Sequence, residues 1–124
     1  MKYVKTIGWA LSALVSAFLV LGSAMGKFTE WEGKQQLFDH LGYSADTIAK
    51  IGVVEVLLAL LFLVPRVDLF AALLLTAYLG GATATHVRVG DPFFFPIIIG
   101  VLAWVALAMR SEDVRVFARN HIRK

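Results

Sequence analysis

Polar and apolar positions are distributed along this chain in long blocks. Four apolar runs stand out: Ile7 to Met25, Ile48 to Val64, Leu69 to Thr85 and Phe93 to Met109. The first and fourth carry no charge. The second carries one, Glu55, and the third is followed by His86. A helix needs about 17 to 25 apolar residues to cross the hydrocarbon of a bilayer, and each run reaches the lower bound. Inside lipid every backbone amide must be paired within its own segment, so such runs are expected as helices. The alternating polarity of a β-barrel is missing. The pattern predicts helices over about 6–25, 48–64, 68–87 and 92–110, an extracytoplasmic loop over 26–47 and a tail over 111–124. The expected fold is all-α: one transmembrane four-helix bundle over residues 1–124.

The breaks between runs agree with this division. Pro65 ends the second helix, and Asp68 is placed to cap the third. Asp91 and Pro92 are expected as N-cap and first residue of the fourth. Loop 26–47 mixes Phe28, Trp31, Leu37, Phe38, Leu41 and Tyr43 with charges, the composition of a short amphipathic piece at the membrane surface. The first run, preceded by Lys2 and Lys5, has the layout of a secretory signal. It exceeds the h-region of about 7 to 15 residues, which favours a retained helix.

Composition changes the picture in two ways. Hydrophobic residues make up 59% and charged residues 17% of 124 residues, more apolar matter than a water-soluble core of this size can bury. Lipid is therefore the first expected partner. Cysteine is absent, so disulfide, thiol-redox and thiolate-metal chemistry are excluded.

The modest net charge of +3 gives no case for nucleic acid. Its distribution sets an orientation instead. Lys2, Lys5, Arg66, Arg110, Arg115, Arg119, Arg123 and Lys124 fall on one side, and Lys27, Lys34, Lys50 and Arg88 on the other. The positive-inside rule then puts both termini in the cytoplasm, in a bacterial-type cytoplasmic (inner) membrane.

Candidate chemistry centres on Glu55, the one ionisable residue in the middle of a span. Ten residues separate it from Pro65. At 1.5 Å per residue that is about 15 Å, near the midplane of a ~30 Å core. Equal depth on the other helices falls at Ser16, Thr76 and Gly100, so a polar layer of Glu55, Ser16, Thr76 and Gly100 is expected. A lone carboxyl at that depth is expected in its neutral form, because burial disfavours charge. The plain alternative is a hydrogen-bonded carboxyl that fixes helix register; the functional one is a binding or proton-handling group.

A second cluster of His86, Arg88, Asp91 and Lys50, with Asp46 near, is expected at the outer end. It reads either as an interfacial cap or as a mouth for a polar headgroup or a partner. No metal site is expected, since His86 lacks a ligand partner at helical spacing. No Ser–His pairing points to a nucleophile. Ala72, Thr76, Gly80 and Ala84, with Gly8, Ser12 and Ser16, form small-residue stripes of the kind that lets membrane helices approach. They place the first and third helices centrally or against another subunit. The tail has Ser111 as N-cap and Arg115, Arg119 and Arg123 four apart, which fits either a helix drawn to anionic lipid or a docking site for a soluble partner.

Gly52-Val-Val-Glu55 leading to Leu63-Val-Pro65-Arg66 resembles the second-helix signature of DoxX-like membrane proteins. Gly81-Ala82 followed by His86-Val-Arg88-Val-Gly-Asp91 resembles their third-helix ending, and Leu41-Gly42-Tyr43 fits the preceding loop. The resemblance covers essentially the whole chain. It implies an accessory or membrane-anchoring subunit of a redox- or quinone-linked complex, and it carries over Glu55, Pro65, Arg66, His86, Arg88 and Asp91 without a catalytic role. A competing reading is an intramembrane binder or enzyme acting on a quinone or lipid through Glu55; a protein partner or a homo-oligomer is a separate, open expectation. A third is a proton-coupled exporter. Small multidrug transporters carry their glutamate in the first helix, which here is uncharged.

Overall fold

The computed structural model describes residues 2–124, in which six helices and no strand occur. They are α1 (Val4–Phe28), α2 (Lys34–Leu41), α3 (Ala45–Phe62), α4 (Asp68–Val89), α5 (Phe94–Arg110) and α6 (Glu112–Ile122). Within α1, residues Phe18–Ala24 are wound as a π-helix. Two helices, α1 and α4, are long and apolar enough to cross a membrane. The helix α3 is 18 residues long but carries Asp46, Lys50 and Glu55. The 17-residue α5 is uncharged up to Arg110 and meets α6 at a bend of 104°.

Helix ends follow local chemistry. Ser44 caps α3 by accepting the Thr47 N–H at 3.2 Å, and Ser111 caps α6 through Val114. The helices α2 and α4 each stop at a left-handed glycine, Gly42 and Gly90. In both, the next amide turns back onto the helix: Tyr43 to the Phe38 carbonyl and Asp91 to the His86 carbonyl. Two expected caps are corrected. Asp68 is the first residue of α4 and accepts its neighbour's amide, that of Leu69. Asp91 caps nothing, because α5 starts only at Phe94 and the Asp91 carboxylate is used elsewhere.

The four long helices form a ring in which α1 touches α3 and α5, and α4 touches α3 and α5. The core contains Val15 and Leu19 of α1, Leu58 and Phe62 of α3, Leu75 of α4, and Ala103 and Leu107 of α5. The outside is as apolar as the inside. Leu14, Leu21, Phe70 and Phe94 are all more than 60% exposed, which suits lipid as the surrounding solvent.

The two small-residue stripes serve different purposes. That of α1 is buried: a Cβ on Gly8 would lie 2.6 Å from the Arg110 nitrogen and 2.9 Å from the Ala106 oxygen. Ser12 donates to the Gly8 carbonyl, and Ser16 to the Ala59 carbonyl of α3 at 3.0 Å. The stripe of α4 does not meet α1. Ala72 is buried, but Thr76, Gly80 and Ala84 face outward. Of the two expected placements, the central one is corrected for this helix: its stripe lies on the outer surface, the side open to lipid or to another subunit. The ring sets α1 and α4 on a diagonal, so α4 packs through Ala71, Leu75 and Leu79 instead.

These contacts separate two glycines of the same type. Gly8→Ala is expected to destabilise the protein by about 1–3 kcal/mol, because backbone atoms cannot yield to the added methyl. Gly80→Ala, where a Cβ meets nothing within 4 Å, is expected to raise stability by up to about 1 kcal/mol through helix propensity. Denaturant unfolding midpoints in one detergent compare the two.

Candidate functional site

Glu55 is buried, and it is not alone. Lys27, near the end of α1, places its Nζ 2.8 Å from the Glu55 Oε2, with side-chain exposures of 13% and 1%. The same ammonium donates to the Ser23 hydroxyl at 2.9 Å. The expectation of a lone carboxyl is corrected by this contact.

Two features bring the pair together. The first is the length of α1, which runs through Gly26 and carries Lys27 out of the expected loop. The second is Gly52, one turn before Glu55: a Cβ there would lie 2.8 Å from the Phe28 ring and 3.2 Å from the Lys27 Cβ. The π-wound stretch of α1 packs against α3 beside the pair, the sort of irregularity that re-aims side chains at functional sites. On the other side, Tyr78 of α4 is half-buried against the core. Tyr43 shares a 2.8 Å hydrogen bond with Thr85.

The proposed polar layer divides in two. Ser16 and Glu55 lie in the packed interior along α1 and α3, each with its own partner. Thr76 and Gly100 lie across the ring, on the seam between α4 and α5. There Trp104 Nε1 donates to the Thr76 hydroxyl at 2.7 Å. Around them is a groove of about 410 Å³, lined by Leu79, Gly80, Pro96, Val101 and Val105 among others, nearly all apolar. It opens to the outside of the bundle. A Cβ on Gly100 would only touch Leu79, at 3.6 Å.

The outer-end cluster is also redistributed. Lys50 pairs with Asp46 on its own helix, 2.9 Å away and well exposed. Arg88 donates to the Leu41 carbonyl of α2. Asp91 accepts from His40 at 3.1 Å through both carboxylate oxygens, with His86 Nδ1 3.9 Å away. His40, which is outside the expected cluster, thus takes the place of Lys50. Together with Tyr43 these contacts fasten α2 over the start of α3 and the end of α4. No group of three His, Cys, Asp or Glu able to hold a metal occurs among the described residues.

Sequence reading missed one buried residue altogether. Arg110, counted as a surface cation, has a side chain that is 1% exposed. Its guanidinium sits 4.2 Å over the Trp9 ring and 4.8 Å over Phe62, donates to the Phe62 carbonyl, and lies 3.5 Å from Asp68. One side chain therefore ties α1, α3, α4 and α5 together. The signal was Asp68, the only carboxylate between Glu55 and Asp91, on the same side as Arg110.

A family profile described as the DoxX-like family matches residues 10–108. No curated protein and no solved structure matches the chain.

The buried pair makes a sharp energetic statement. Glu55→Leu, which strands the Lys27 ammonium in an apolar setting, is expected to cost about 3–5 kcal/mol, whereas Lys27→Met combined with Glu55→Leu recovers most of that loss. A double-mutant cycle of unfolding free energies measures the coupling, and additive losses would show that the pair does not form.

Proposed function

The chain belongs to the DoxX-like family, and within it we propose that the protein is a membrane-embedded accessory subunit of a redox- or quinone-linked complex that holds an apolar small molecule, of quinone or lipid type, in the α4–α5 groove. In this reading α3 and α5 also cross the bilayer, giving four spans with both termini on the cytoplasmic face of the inner membrane. The groove carries the proposal. It is large enough for part of a hydrophobic ligand, it opens sideways toward lipid, and two glycines keep its walls low. Its polar fixture, the Thr76–Trp104 pair, provides a flat indole and a hydroxyl against which a ring can lie.

The buried pair supports a framework role for Glu55 over an acid–base one. The Lys27 ammonium, 2.8 Å from the Glu55 Oε2, engages the carboxyl in joining α1 to α3. The same contact counts against proton-coupled export, which needs a carboxyl free to load and unload.

Native mass spectrometry of protein extracted from its own membranes in mild detergent tests the reading. A retained small molecule is expected, together with a stoichiometric protein partner. Gly80→Leu with Gly100→Leu, which fills the groove, is expected to release the small molecule while leaving the helices folded. Retention by the filled variant would sink the groove assignment, and extraction without a partner would remove the subunit role.

A further inference from the structure

The two ends of the molecule carry opposite charge. At the end formed by the start of α1, the α3–α4 turn and α6, eight Lys and Arg stand against Asp68, Glu112 and Asp113, a formal +5. The opposite end has four cations against six carboxylates, a formal −2, and the two give the chain's +3. The placement is structural as well as sequential. Gly8 touches the backbone of Arg110, and Arg110 meets Asp68. Arg110 uses Asp68 internally and Arg115 is turned onto backbone carbonyls of α5, so six of the eight cations face outward, and Glu112 and Asp113 are the other carboxylates at this end.

The helix α6 is fixed on this basic end. Ser111 caps it, Val114 packs against the core, and Arg115 donates to the Ala108 carbonyl at 2.9 Å and to that of Met109. These contacts hold it at 104° to α5. If α5 crosses the bilayer, as the reading above has it, α6 lies along the membrane surface. At 100° per residue Arg115, Arg119 and Arg123 form one row. Phe117, 64% exposed, lies across the helix from that row, and Ile122, 83% exposed, lies at its edge beside Arg115. Nothing among the described residues covers them.

We infer that α6 is an in-plane anchor that binds the acidic phospholipid of one leaflet, with Phe117 entering the acyl boundary, Ile122 at its margin, and Arg119 and Arg123 engaging lipid phosphates. Exposed apolar side chains beside a basic row, on a helix laid flat, suit that interface. Guanidinium groups match phosphate oxygens in pairs.

The full chain, which contains no cysteine, allows a direct test. Phe117→Cys is labelled with a polarity-sensitive dye and placed in nanodiscs of phosphatidylcholine, with or without phosphatidylglycerol. Acrylamide, a neutral quencher, reports exposure. Quenching is expected to fall several-fold when phosphatidylglycerol is present, and raised salt is expected to weaken the effect. Arg119→Glu with Arg123→Glu is expected to abolish the lipid difference without moving the unfolding midpoint. Equal quenching in both lipids would overturn the inference. Equal protection in both, rising with protein density, would also overturn it, because a second copy would then be the cover.

Discussion

A charge buried in an apolar surrounding must find its opposite, and this requirement organises the protein. With lipid expected on the outside and leucine and alanine on the inside, water cannot solvate a stray ion. Lys27 and Glu55 answer the constraint toward one end of the bundle, and Arg110 with Asp68 answers it at the other. Each pair joins different helices. Lys27–Glu55 links α1 to α3, and Arg110 draws α1, α3 and α4 onto the end of α5. The penalty for separating either pair is large, so they set helix register more firmly than dispersion between similar apolar surfaces can.

Register in turn decides what the small residues do. With α1 held on α3, Gly8 comes against the backbone of α5, and Ser16 finds the Ala59 carbonyl. With the ring closed in that order, α4 is left opposite α1, and its glycines turn outward. The stripe through Gly80 is consequently open surface, although its spacing is the same as that of α1.

Much of this was legible in the sequence. The apolar runs located the long helices to within a few residues, and the DoxX-like signatures at Gly52 to Arg66 and Gly81 to Asp91 identified the family. Glu55 was visible as the charge that did not belong. Its partner was not, because Gly26 looked like the end of a span and Lys27 like the start of a loop. Only the continuation of α1, with Ser23 one turn before Lys27, shows otherwise. Arg110 was hidden for a related reason: a cation at a helix end is ordinarily solvated, and nothing in the spacing of Trp9, Phe62 and Asp68 along the chain announces that they converge. Equal counting from the helix ends also failed to say which face each residue presents. It put Thr76 and Gly100 in one layer with Ser16 and Glu55, when the first two line an outward-opening groove and the other two are buried in the interior.

The four seams of the ring are therefore unequal, and the inequality bears on function. The α1–α3 seam has an ion pair and a serine bond, the α1–α5 seam has backbone contact at Gly8, and the α3–α4 seam is clamped by Arg110 at one end and α2 at the other. The α4–α5 seam has the Thr76–Trp104 bond and otherwise apolar contact. Apolar contact between membrane helices gains little over contact with lipid chains, so this seam is the one where an apolar molecule competes on nearly equal terms with the protein. An open groove there follows from the same constraint that closes the other three. A ligand in it would fill space that Gly80 and Gly100 leave empty without disturbing either buried pair, so occupancy can change while the framework does not.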